Sequence, residues 1–545
     1  MEGEPTYRRW RAPRGDAAAL VDPRPTAMSS LLAENMQRGR QYDVEVLDRP
    51  LVELTGQARR DLIEAARTYT LAYRDVAAPC PTERSASDAP PPIILSGHQP
   101  ELFHPGVWFK NFVLGSLAAS CGAAAVNLVI DNDVPGSAAI RVPAGSRAAP
   151  RIEKVAYDRP LADVPYERRG ILDAACFSTF AQRVEQTLAP LAETPLVGTP
   201  LVGTLWPDAV EAARRSPILG DALAQARHML EGRWGLSTWE LPLSAVCRQS
   251  SWRVFAAHLL SRLPRLHADY NGALLDYRRA VHLRSRTHPV PELAVEEQWR
   301  EAPLWIWSVG EPRRRRLFAR EIGGELELSD RAEFRRRIGK SAAALVEGLT
   351  ALANEGVAIR PRALITTMFA RLVLGDLFLH GIGGSKYDEL TDEIIRRFFG
   401  IEPPGYGTVT ATRLLFPESI EQAAEDELRR IDRQLRDLQF NPDRHLGDAP
   451  RQDAQVGALV TEKRRWITAN PPPRKRGRRH EAIARINQQL QPRVEEQRRE
   501  LLARRLSAAD QLRTARLLGS REFSFCLFSE TRLRNWLLEL SAATS

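Results

Sequence analysis

Residues 93–133 read IILSGHQPELFHPGVWFKNFVLGSLAASCGAAAVNLVIDND. Pro90, Pro91 and Pro92 break any element before this stretch. A short apolar run, Ile93 to Leu95, ends at Gly97, and the loop GHQPELFHPG follows with two histidines, two prolines and two glycines. Trp108, Phe112 and Leu117 then recur at helical period up to Gly122. A second apolar run, Val126 to Ile130, stops at Asp131-Asn132-Asp133. Strand, polar loop, helix, strand is the βαβ pattern, and it predicts a parallel sheet.

Ligands of parallel sheets bind beyond the carboxyl ends of the strands, where the GHQPELFHPG loop and the IDND turn both fall. The loop also opens a helix, whose first N–H groups suit a phosphate or carboxylate. His98, His104, Gly97, Gln99, Asp131 and Asp133 are therefore candidate site residues. The competing reading is that the two histidines only cap and pad a βα turn.

Working outward, 545 residues can bury a large core and suggest two to four domains. Hydrophobic content of 43% and charged content of 27% fit a soluble protein. The net charge of +9 is concentrated in runs: Arg313 to Arg316, Arg335 to Arg337, and Arg474 to Arg479. Such runs can follow a nucleic-acid backbone, but no base-reading motif accompanies them, so nucleic acid is not the expected partner. The five cysteines stand far apart with no CxxC pair, which argues against a zinc site and against a disulfide framework. The first residues, MEGEPTYRRWRAPRGD, carry no apolar segment of a secretory signal. Gly115, Gly122 and Asn127 interrupt the most apolar stretch, Phe112 to Ile130, so no membrane span is expected and the predicted location is cytoplasmic.

Before the βαβ unit, a helix is expected from Gly56 to Tyr73, followed by a linker from Ala78 to Pro92. The tandem TPLVG-TPLVG at 194–203 reads as a local duplication in a loop. Helical patterns return at 209–230 and 252–283, and PLWIWSVG, 303–310, reads as a buried strand. In PRALITTMFARLVLGDLFLHGIGGSKYDELTDEIIRRFFG, 361–400, Thr366 or Thr367 is a natural N-cap for an apolar helix over Phe369 to Leu379. Gly381 is its expected C-cap. Gly383 and Gly384 permit close backbone approach to an anionic or sugar ligand, beside His380, Ser385, Lys386, Tyr387 and Asp388. A plain helix-ending turn is the alternative. A helix from Leu390 to Phe399, capped by Gly400, follows. Farther on, Ile420, Ala424, Leu428, Ile431, Leu435 and Leu438 form one apolar seam, and Ile483, Ile486, Leu490, Val494 and Leu501 another. Both fit long helices folded back as an antiparallel coiled coil, or a bundle packed within the chain.

The order of these blocks resembles the bacillithiol biosynthesis cysteine-adding enzyme family. The likeness rests on the Gly97-His98-Gln99 loop, an acidic strand end, and a Tyr-Asn-x-Ala-Leu helix start at Tyr270. It also includes Gly383-Gly384 leading to Glu389, and the C-terminal helical seams. His98 stands where the family has glutamine, and Ser385-Lys386-Tyr387 where it has Pro-Gly. The resemblance implies an α/β fold: a Rossmann-like parallel sheet core related to nucleotidylyltransferases and class I synthetases, with helical insertions and a coiled-coil arm that dimerises. The domains would be 1–90, an N-terminal helical segment and linker; 91–417, the core; 418–520, the arm; and 521–545, a segment returning to the core.

Two classes of function follow. One is a ligase or transferase joining a small amine- or thiol-bearing substrate to an acidic, sugar-acid-like acceptor. His98 or His104 would then move protons, Asp131 and Asp133 would hold an ammonium or Mg²⁺, and Lys386 with the loop amides would hold the anionic group. A nucleotide such as ATP or ADP is a candidate cofactor. The other class is a non-catalytic scaffold that binds a nucleotide, a partner, or RNA through the basic runs.

Overall fold

Two strands, Ile93–His98 and Ala124–Val129, run parallel in register from Ile93 opposite Ala124 to His98 opposite Val129. The Pro105–Cys121 helix joins them and ends at Gly122, which takes the left-handed conformation that favours glycine. The computed structural model describes residues 10–76, 91–192, 198–285, 288, 290–417, 421–468 and 476–543. The chain forms two units, one of residues 1–142, 153–414 and 521–545, the other of 143–152 and 415–520.

The first unit is built on a six-stranded sheet: β1 (Ala19–Asp22), β2 (Ile93–His98), β3 (Ala124–Val129), β4 (Trp239–Pro242), β5 (Leu377–His380) and β6 (Tyr406–Ala411). The spatial order is β1-β6-β5-β2-β3-β4. β1 is antiparallel to β6, and every other pair is parallel. β3 is buried along its whole length and β2 over its first four residues, which is why both read as near-continuous apolar runs. From β2 the chain winds outward through β3 to β4. It then returns to the other side of β2 as β5 and winds the opposite way to β6. The winding therefore reverses between β2 and β5, the position where doubly wound sheets open a crevice beyond their carboxyl ends.

β5 corrects one sequence expectation. The residues expected to form one apolar helix over Phe369 to Leu379 divide between two elements. The Ala363–Phe369 helix continues as a wider π-type turn, Ala370–Leu374, and Leu377–His380 is a central strand. Short buried helices and buried strands share the same apolar signature, and Gly375-Asp376 marks the break between them. Gly381 accordingly caps the start of the Ile382–Phe399 helix rather than the end of the preceding one.

The expected helices before β2 and between β3 and β5 are present as Leu51–Leu71, Val202–Arg215, Leu219–Arg233, Ser250–Ser261 and Leu263–Ala280. Tyr270 lies inside the last of these, not at a helix start, and Asn271 exchanges two hydrogen bonds with the Leu293 backbone. The insertion is not purely helical. It carries an antiparallel sheet in the order Arg335–Gly339, Glu325–Ser329, Arg315–Ile322, Trp299–Ser308, Val357–Pro361.

Two of the basic runs lie in or beside this sheet, and each arginine meets an acid or a ring. Arg313 faces Glu311, Arg314 Asp133, Arg315 Asp330, and Arg316 Glu301. Arg336 faces Glu355, Arg337 faces Glu327, and Arg335 lies over Trp299. Such pairing leaves little uncompensated charge for a nucleic-acid backbone.

Apart from residues 143–152, which fall in the paired strands Ala139–Gly145 and Pro150–Ala156 and the turn between them, the second unit is helical. Glu421–Phe440 packs antiparallel on Glu495–Leu518, with Arg516 reaching Glu421 and Arg504 reaching Glu427. The second expected seam is divided, because the Arg476–Leu490 helix ends at a short turn, Gln491–Arg493. Leu438, Val456, Val460, Ile486, Leu490 and Val494 share one apolar cluster. The expected linker at 78–92 falls largely outside the described residues, as do residues 194–197 of the TPLVG repeat and residues 474–475 at the start of the third basic run. Among the described residues, no helix is long and apolar enough to cross a membrane.

Candidate functional site

The GHQ loop leaves β2 at the reversal of winding, and the Gly-rich segment leaves β5 beside it. Leu379 of β5 lies opposite Ser96 of β2, and the Ser96 hydroxyl donates to the Leu379 carbonyl at 3.2 Å. Gly97-His98 and His380-Gly381 therefore emerge next to each other, about one strand spacing, ~5 Å, apart.

His380 is the last residue of β5 and is buried. Its Nε2 lies 2.7 Å from Asp388 Oδ2, and the same carboxylate oxygen accepts from Arg371 Nη1 at 2.7 Å. Arg371 sits on the π-type turn, also reaches Asp392 at 2.6 Å, and lies over the Tyr406 ring. Burial alone would raise the Asp388 carboxyl, but Arg371 and His380 hold it well below the usual carboxylate range. Burial lowers His380 more than Asp388 raises it, so the ring stays neutral at neutral pH. A carboxylate can only accept, so Nε2 carries the proton and Nδ1 is the basic nitrogen. A Cβ on Gly384 would stand 2.6 Å from that Nδ1, so glycine is required for the helix start to approach the imidazole this closely. The Ile382–Phe399 helix has no side-chain cap at Gly381, leaving its first amides available to a ligand.

His98 donates from Nδ1 to the Gln99 carbonyl at 3.0 Å and packs edge-on against Phe103. Burial, reinforced by the charge of Lys110, brings it down to about 3. His104 is the N-cap of the Pro105–Cys121 helix: its Nδ1 accepts from the Gly106 amide at 3.1 Å. Burial lowers it to about 4, partly offset by Glu522 3.8 Å away. The capping reading thus holds for His104.

The two loops flanking β2 and β3 are tied together, since Gln99 Nε2 donates to Asp133 Oδ2 at 2.9 Å. Asp133 also accepts from Arg314 at 2.6 Å. Burial opposes its ionisation, but Gln99 and Arg314 hold it below its ordinary value. Asp131 is buried and accepts from the Ser244 amide at 2.9 Å. Burial, with Glu167 nearby, raises it to about 7. These two acids do not fit a magnesium ion, because one is committed to Arg314 and Gln99 and the other is half protonated near neutrality.

In the Gly-rich segment, the Ser385 hydroxyl donates to the Gly381 carbonyl at 3.1 Å and shares a hydrogen bond with Thr408 at 2.8 Å. Gly383 and Lys386 are exposed, and Tyr387 is half-buried. Asp388, expected to touch substrate, instead anchors His380.

The sequence reading missed Lys110 and Arg371. Lys110 is buried in the Pro105–Cys121 helix, and its Nζ donates to the Gly97 carbonyl at 2.5 Å. Burial, together with the charge of Arg227, lowers it to about 7. The signal was a lysine set among Trp108, Phe109, Phe112 and Val113, with no polar face for it to join.

Elsewhere in the first unit, buried His228, Glu231 and Glu240 have the spacing of metal ligands. Arg227, however, binds both carboxylates, and Trp108 and Asn111 donate to Glu231. The cluster is a buried ion network whose cation is Arg227. Neither models of known protein families nor curated proteins match this chain.

Proposed function

We propose that this protein is a ligase or transferase with a Rossmann-like core. It would join a small amine- or thiol-bearing substrate to an acidic acceptor in the crevice between β2 and β5. One observation carries the reading: the GHQ loop and the uncapped, Gly-rich helix start leave adjacent strands where the winding reverses. A buried His–Asp pair stands at the same place. His380 Nδ1 would take a proton from the attacking amine or thiol, with Asp388 holding the ring in its tautomer. His98, neutral and half-buried, would orient the substrate. Positioning and electrostatic stabilisation would supply most of the rate. The resemblance to cysteine-adding enzymes supports this substrate class and a nucleotide as cofactor. The helical unit, with Leu502 and Leu506 exposed, would serve as a coiled-coil dimerisation arm; light scattering should report a dimer, and a monomer at tens of micromolar would remove that role.

A second reading, a non-catalytic scaffold, is favoured by one observation: Asp133 and His104 are already engaged by Arg314 and the Gly106 amide. Mass spectrometry of the protein incubated with ATP, Mg²⁺, cysteine or other amines, and sugar-acid acceptors separates the two. A condensed product lost in His380→Gln supports the enzyme. No product from any combination supports the scaffold.

A further inference from the structure

Seven lysines and arginines are buried among the described residues: Lys110, Arg169, Arg227, Arg278, Arg362, Arg371 and Lys463. Six of them have a carboxylate within ion-pair distance: Asp158, Glu231, Glu292, Glu301, Asp388 and Asp443, respectively. This is the ordinary condition of a buried charge, since an unpaired one costs several kcal/mol. Lys110 is the exception. Its one partner is the Gly97 carbonyl, and no carboxylate of a described residue reaches it.

The position of that ammonium matters more than its isolation. Gly97 is at the carboxyl end of β2, next to the end of β5, and the charge of Lys110 weighs on both His98 and His380. His380 Nδ1 in turn abuts the helix start at Gly384. An unpaired buried cation, a basic imidazole nitrogen and the uncapped start of an 18-residue helix thus lie at the neighbouring ends of β2 and β5. Lys386, by contrast, is exposed, one turn into that helix.

We propose that Lys110, with the first amides of the Ile382–Phe399 helix, holds an oxoanion of the ligand, phosphate or carboxylate, in the crevice between β2 and β5. This deepens the reading above and rests on it: the anionic end of the substrate or nucleotide is held by a cation from the helix after β2, not by Lys386. A bound oxoanion supplies the charge that the fold withholds from Lys110. Because burial brings the free ammonium to about 7, binding is tighter in mild acid than in mild alkali.

Calorimetric titration tests this with pyrophosphate and ATP as the phosphate arm and malate and citrate as the carboxylate arm, at pH 6.5 and pH 9. At least one probe should bind, more tightly at the lower pH. Lys110→Met should weaken it by about tenfold or more, the effect of losing a charge-assisted contact. Lys110→Arg should retain part of the affinity, and circular dichroism should show both variants folded. If Gly384→Val abolishes binding while Lys110→Met leaves it unchanged, or if the loss occurs only in Lys386→Ala, the crevice stands and the role of Lys110 falls. If a probe binds and none of these variants affects it, or if no probe binds, both the role of Lys110 and the crevice reading fall.

Discussion

The Nε2 of His380 lies 2.7 Å from Asp388 Oδ2, and that oxygen also binds Arg371 at 2.7 Å, so one carboxylate orients the imidazole and neutralises a buried guanidinium. Removing it disturbs both. Asp388→Ala should cost about 3–5 kcal/mol of stability, because Arg371 loses one of its two acids in a buried site. Asp388→Asn keeps the shape and should cost less. Urea unfolding of the two variants checks the order; equal losses would show that charge plays no part.

Lys110→Met should stabilise the protein. The folded lysine is lowered to about 7, against about 10.4 when unfolded, so the burial cost is fully present below pH 7. It declines by up to about 1.4 kcal/mol per pH unit as pH rises from about 7 to 10. The gain in thermal midpoint should therefore be largest near pH 6.5 and shrink toward pH 9.5. A gain independent of pH would mean that burial does not lower the lysine in the fold.

Asp131 titrates with the opposite consequence. Its folded carboxyl is raised to about 7, so between about pH 4 and 7 the folded state holds a proton that the unfolded chain has lost. Its contribution to stability falls as pH rises through that window. Asp131→Asn should match the parent near pH 4 and exceed it near pH 8 in thermal unfolding. A constant difference would contradict the assignment.

Gly106→Ala tests how the GHQ loop is docked. The added methyl would stand 1.9 Å from the Ala411 carbonyl oxygen at the end of β6. Alanine is the better helix former by about 1 kcal/mol, but a backbone clash cannot be relieved by a rotamer. A net loss of about 1–3 kcal/mol is expected in chemical unfolding. A stabilised variant would mean that the helix start is not packed on β6.

The βαβ unit was legible because its strands are apolar throughout and its polar residues gather in one loop. β5 was not, because LFLH lies in an apolar block whose period does not separate helix from strand, and its neighbour β2 lies nearly 300 residues earlier in the chain. The antiparallel sheet of the insertion was hidden by its arginines, which read as surface runs, yet Arg335 lies over Trp299 while Arg316 and Arg337 pair with buried Glu301 and Glu327. Of the candidate site, the glycine and histidine loops point to Gly97, His98 and Gly384. Lys110 escaped because its partner is a backbone carbonyl, which no side-chain pattern announces.

Hydrogen–deuterium exchange with mass spectrometry, in the presence and absence of ATP–Mg²⁺, amino acids and sugar acids, tests the location of the site most directly. The two loops that leave β2 and β5 should be protected together, in peptides covering 97–106 and 381–388, by at least one of these ligands. Protection confined to other segments, or none with any of them, would contradict a ligand site at the crevice between β2 and β5.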